Sequence, residues 1–168
     1  MVLTGAGSGG FTGRLRDAVA EGGRGGGEPF FRRHFTATDA ETRAALQALM
    51  LALDQAGVGG EDSSNAELIL AEALNNVVEH AYADGAGPVE LTVSLQRNGM
   101  ACTISDRGRP MPSGVVPSPG LPVIDPPDDL PEGGFGWHII RCLTSELAYQ
   151  RDRDRNSLMM RLPWSDFD

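Results

Sequence analysis

The chain has 168 residues, is 40% hydrophobic and carries a formal net charge of −9. That is enough for one domain with a core, and too acidic to suggest a direct nucleic-acid partner, which asks for a basic face. All 14 basic residues are arginine, which excludes a P-loop ATPase, a eukaryotic-type protein kinase and Schiff-base chemistry, each of which needs a lysine. No run of about 18 apolar residues and no signal-like leader occurs, so no membrane contact is expected and the cytoplasm is the default location. Cys102 and Cys142 lie in apolar stretches and are expected to be reduced core residues.

Residues 1–28 are glycine-rich and read as a flexible tail, leaving 29–168 as the folded domain. Phe30–Thr36 reads as a strand. Thr38 or Asp39 can cap a helix whose Leu46, Leu49, Met50 and Leu53 recur at three- and four-residue spacing and which stops at Gly57. Ser64-Asn65-Ala66-Glu67 resembles a capping box opening a second helix to about Tyr82. Val89, Leu91, Val93 and Leu95 alternate with polar residues, and Asn98-Gly99 turns the chain into a return strand, Met100–Ser105. Eight of the 11 prolines fall between Pro110 and Pro131, a long functional loop. A helix over Gly136–Leu147 and strands over Ala148–Arg153 and Ser157–Leu162 complete an α+β chain, an antiparallel-rich sheet with helices on one face. The alternating charges of Arg151–Arg155 read as a solvated hairpin tip.

Three segments carry candidate chemistry. On the second helix, Leu70, Leu74, Val77 and Ala81 form an apolar arc, and Glu72, Asn76 and His80 lie on a stripe at its edge. Asparagine is a poor interior helix residue. The stripe is either merely solvated, or a carboxylate that can take a hydroxyl proton beside an amide oxygen suited to magnesium. Asp106-Arg107-Gly108-Arg109 ends a strand; it is either ordinary turn chemistry or an acceptor for an adenine amino group. Gly133-Gly134-Phe135-Gly136 opens the helix beginning near Trp137, either as a plain helix entry or as a set of amides for phosphate. His34 and His138 have no metal-ligand spacing with either cysteine.

Taken in order, these segments resemble the gyrase and histidine-kinase ATPase superfamily and, within it, the anti-sigma-factor serine kinases. Glu72-Ala73-Leu74-Asn75-Asn76-Val77-Val78-Glu79-His80-Ala81-Tyr82 is similar to that subfamily's N-box, and the likeness runs from Phe30 to Leu162. The resemblance implies the histidine-kinase-like (Bergerat) fold, a two-layer α/β sandwich with a mixed, mostly antiparallel sheet, binding ATP and magnesium. It implies Glu72 as general base and Asn76 as magnesium ligand. It further implies Asp106 with Gly108 at the adenine, and Gly134 and Gly136 at the phosphates, with Trp137 at the opening of that helix in the nucleotide-binding set. Ser157 stands where the family often has a small hydroxyl residue near adenine, and His80 where it supports helix packing. Pro110 replaces the family's second glycine after Asp106, and the lid, Met111–Glu132, is proline-rich. There is no room for the phosphoacceptor hairpin of a histidine kinase.

The function implied is a serine/threonine kinase that phosphorylates a STAS-type anti-sigma-factor antagonist and sequesters a sigma factor, as a homodimer in the family's habit. The alternative is a nucleotide-gated binding module without transfer.

Overall fold

The computed structural model describes residues 28–117 and 135–165. The elements run β1 (Phe31–Thr36), α1 (Asp39–Ala56), α2 (Gly60–Asn76), a π-helical turn (Val77–Ala81), β2 (Pro88–Gln96), β3 (Gly99–Asp106), α3 (Phe135–Leu143), β4 (Glu146–Asp152) and β5 (Arg155–Pro163), with a short 3-10 turn at Pro112–Gly114. The strands form one sheet of order β1-β2-β3-β5-β4. All its ladders are antiparallel. The expected glycine-rich tail lies outside the described residues apart from Glu28, as do positions 118–134 of the long loop.

Alternation decides which sheet face is covered. Val89, Leu91, Val93 and Leu95 of β2 are buried, while Glu90, Thr92 and Ser94 between them are half-buried. Met100, Cys102 and Ile104 of β3 and Leu158, Met160 and Leu162 of β5 continue the same face, which packs against Leu49 and Leu53 of α1, Ile69, Leu70 and Leu74 of α2, and Ile140 of α3. Burying each such side chain contributes roughly 1.5–3 kcal/mol. Helix α1 starts as expected: Thr38 Oγ1 accepts from the Glu41 amide at 3.2 Å, and the Glu41 carboxylate accepts from the Thr36 amide at 2.7 Å. It ends on Gly57, whose φ of 79° suits glycine.

Several boundaries differ from the sequence reading. Helix α2 begins at Gly60, with Gly59 as cap. Ser64 is one turn inside, its hydroxyl donating to the Gly60 carbonyl at 2.7 Å, so the capping-box pattern is not used as a cap. The α-helical geometry stops at Asn76 and the expected helix finishes as a π turn over Val77–Ala81. Helix α3 ends at Leu143, because the Thr144 hydroxyl turns back to the Ile140 carbonyl and the Ser145 amide already bonds the Arg161 carbonyl. Strand β4 therefore starts at Glu146. In the first hairpin the turn residues are Arg97 and Asn98, with Gly99 paired to Gln96; a β-carbon at Gly99 would collide with the Leu162 carbonyl. Cys102 is in the core as expected, but Cys142 is exposed, since the short α3 turns it away from the sheet. No helix among the described residues is long and apolar enough to cross a membrane.

Candidate nucleotide-binding site

The end of α2 is built onto the end of β3. Past Asn76 the helix widens by one residue into its π turn, closed by the Tyr82 amide on the Val77 carbonyl at 3.0 Å. The Tyr82 hydroxyl then donates to the Pro88 carbonyl at 2.8 Å and accepts from the Arg107 amide at 2.9 Å. Burial is the main cause that raises its pKa, with the Asp106 charge adding to it, so the hydroxyl stays a donor at neutral pH. The Arg109 amide bonds the Ala81 carbonyl at 2.8 Å. Gly108 is needed for this approach: a β-carbon there would run into the carbonyl and side chain of Ala81.

Asp106 is 7% exposed. Its Oδ1 accepts from the Gly108 amide at 2.8 Å and from Asn156 Nδ2 at 2.7 Å. No hydrogen bond reaches its Oδ2 among the described residues, so one oxygen can still accept from a ligand amino group. On α2, Asn76 Nδ2 donates to the Glu72 carbonyl at 3.0 Å. The atom that remains for a ligand is the amide oxygen, the hard donor a magnesium ion prefers.

Asn76, Asp106 and Trp137 meet on one cavity of about 450 Å³, walled on its apolar side by Ala73, Ile104 and Leu158. Its size is that of a small-molecule site. Pro110 and Met111 border it as well. Glu72 is half-buried next to this wall, and its carboxylate lies so close to the first turn of α3 that a β-carbon at Gly136 would stand 2.5 Å from Glu72 Oε2. Segments distant in sequence thus come together: the Glu72–Asn76 stripe, the Asp106–Gly108 turn and the Gly136–Trp137 helix start. Gly134 lies outside the described residues.

One predicted residue stands elsewhere, and another has a different setting. Ser157 is on the opposite sheet face, paired across the ladder with Ser105, their hydroxyls 3.3 Å apart; strand alternation gives the cavity side to its neighbours Asn156 and Leu158. His80 lines the rim of the same cavity beside Asn76, but it is exposed and so is not the helix-packing residue that the resemblance implied. The charged hairpin of Arg151–Arg155 is not simply solvated either. Arg151 Nη1 donates to Asn156 Oδ1 at 2.6 Å and to the Gly108 carbonyl at 3.1 Å, and Arg155 pairs with Glu90 at 2.9 Å.

Asn156 was legible only as part of a turn, yet it is 3% exposed and ties the site together. Besides Asp106, its Nδ2 reaches the carbonyls of Gly108 and Arg109, and its Oδ1 accepts from the Tyr149 hydroxyl at 2.7 Å. The Tyr149 hydroxyl in turn accepts from the Met111 amide at 3.0 Å.

Residues 35–162 match the family described as histidine kinase-like ATPase domain. The chain is 26% identical over 105 residues to the serine-protein kinase RsbW of Bacillus cereus, a stretch covering 61% of this chain and 66% of that protein. It is 25% identical over 105 residues, with the same coverage, to the RsbW of Bacillus mycoides. The chain thus spans a little under two thirds of these relatives. Among solved structures, the RsbU and RsbW domains of a Mycobacterium tuberculosis protein share the fold with a TM-score of 0.51 at 18% identity, over 79% of this chain and 32% of that one.

Proposed function

Because the chain belongs to the histidine kinase-like ATPase domain family, we propose that it is an ATP- and magnesium-dependent serine/threonine kinase of the anti-sigma-factor type, acting in the cytoplasm. The observation that carries this reading is the convergence of Asn76, Asp106 and Trp137 on one cavity, with the Glu72 carboxylate against Gly136. Its support beyond the site is the likeness to serine-protein kinases named RsbW.

In this reading Asp106 accepts from the adenine amino group through Oδ2. Asn76 offers its amide oxygen to magnesium, which when bound neutralises phosphate charge. Gly136 leaves the backbone in the first turn of α3 open to phosphate oxygens, and Gly134 is assigned to the same phosphate set. Glu72 takes or orients the proton of a partner's serine or threonine hydroxyl. Such transfer rests mostly on positioning and charge neutralisation, so the missing lysine is no obstacle. The substrate is an anti-sigma-factor antagonist of STAS type, and the second client a sigma factor.

The test is incubation with γ-labelled ATP, magnesium and a candidate antagonist. Label is expected in the antagonist, and Glu72→Ala is expected to abolish it while ATP binding persists. Tight ATP binding by the unaltered chain without transfer to any antagonist would replace the kinase by a nucleotide-gated binding module, a reading to which Pro110 at the cavity edge lends weight. No response to millimolar Mg-ATP in a thermal shift would remove both.

A further inference from the structure

The side chain with the most hydrogen bonds around the cavity is one to which neither the motifs nor the resemblance gave a role. Asn156 is buried at the start of β5, and its amide orientation is fixed by its neighbours. Three acceptors surround one end: Asp106 Oδ1 at 2.7 Å, the Arg109 carbonyl at 3.1 Å and the Gly108 carbonyl at 3.3 Å. Two donors meet the other: Arg151 Nη1 at 2.6 Å and the Tyr149 hydroxyl at 2.7 Å. Only an amide with nitrogen toward Asp106 and oxygen toward β4 suits all five, its two N–H groups being shared among the three acceptors.

We propose that Asn156 is the positioning residue that sets base selectivity. It holds Asp106 by Oδ1 so that Oδ2 alone meets the base, and through Tyr149 it joins that aspartate to the backbone of Met111, where the long loop departs. This rests on the reading of Asp106 as the adenine acceptor. An ionised carboxylate offers only acceptors, so the held Oδ2 welcomes the 6-amino group of adenine and rejects the 6-oxo group of guanine. A carboxylate freed from Asn156 is held only by the Gly108 amide and can rotate, and the Arg109 carbonyl loses its side-chain donor while that of Gly108 keeps Arg151. The base then meets an adjustable edge in place of a fixed one.

Asn156→Asp separates this role from bulk packing, because the two side chains are nearly isosteric. The oxygen replacing Nδ2 faces three acceptors unless it is protonated. The charged and titratable groups around it are Asp106 from β3 and Tyr149 and Arg151 from β4. Arg151 and Tyr149 serve the other oxygen, so the proton belongs on the Asp106 side, shared between two carboxyls.

The experiment is calorimetric titration of the full chain with Mg-ATP and Mg-GTP at pH 6 and pH 8, at a temperature where circular dichroism shows each variant folded. The unaltered chain is expected to prefer ATP by about a hundredfold or more. Asn156→Ser is expected to bring that ratio to within about tenfold. Asn156→Asp is expected to bind ATP at least about tenfold more weakly than the unaltered chain at pH 8, and to recover most of the loss at pH 6. If Asn156→Asp does not fold at pH 8, Asn156→Ser alone decides through the ATP-to-GTP ratio. An unaltered chain that binds ATP selectively, with variants of unchanged ratio, would overturn the positioning role and leave the kinase reading standing. An unaltered chain that binds neither nucleotide would overturn the reading of Asp106 and this inference with it.

Discussion

Glu72 and Gly136 show how little space separates helices α2 and α3 at the site. With Glu72 Oε2 2.5 Å from where a β-carbon would be, Gly136→Ala has to displace the carboxylate. The expected outcome is loss of phosphotransfer by at least about tenfold with an unchanged circular dichroism spectrum, read by labelled-ATP assay. Cys102 provides a different test. Burial pushes its thiol from the ordinary 9.0 up to about 12, so the folded protein keeps a proton that the unfolded chain releases. The associated stability is complete below pH 9 and is lost as pH rises toward 12. Urea unfolding is therefore expected to weaken more steeply between pH 9 and pH 11 in the unaltered chain than in Cys102→Ala. At this scale the sequence was most informative where a residue was out of place: Asn76 inside a helix, Asp106 at a strand end. Asn156 escaped notice because asparagine beside a hairpin is ordinary turn chemistry. Ser157 was preferred by one position, and one position in a strand selects the opposite face.

Strands were readable because alternation fixes both their existence and their covered face, as in Val89–Leu95. Helix ends were not, since serine at position 64 is as acceptable one turn inside a helix as at a cap, and the apolar pattern of α3 runs on through Leu147 into β4. The π turn at Val77–Ala81 has no sequence signature. It lets Tyr82 and Ala81 meet the Arg107–Arg109 backbone, with His80 left exposed at the cavity rim. The joint it makes with β3 leaves no room for a side chain at Gly108. Gly108→Ala is expected to cost roughly 1–3 kcal/mol in denaturant unfolding and to weaken ATP binding in the same preparation, because Asp106 and the turn beyond it shift together.

Across the whole molecule the last strand reaches back to the first helical layer. Trp164 is 3% exposed and its indole donates to the Gln96 carbonyl at 3.0 Å, while the Ser165 amide and hydroxyl both donate to Asp62 Oδ1, at 2.8 and 2.6 Å. Trp164→Ala is expected to destabilise the fold by roughly 3–5 kcal/mol, measured by urea unfolding. The layered α+β architecture was legible from element order alone, whereas this closure was not, because it joins single residues 103 positions apart.

Ser165 holds the first turn of α2 through Asp62, and Pro88 and Arg107 hold the far end through Tyr82. The helix is therefore a beam clamped at both supports, unable to slide along its own axis. Glu72 and Asn76 sit on the span between those supports, so their distance from Asp106 is a fixed gauge of the fold. On the proposed reading, a rearrangement on nucleotide binding is expected to be taken up on the opposite wall, by α3. Hydrogen-exchange protection is accordingly expected to stay constant along α2 and to change at Phe135–Leu143.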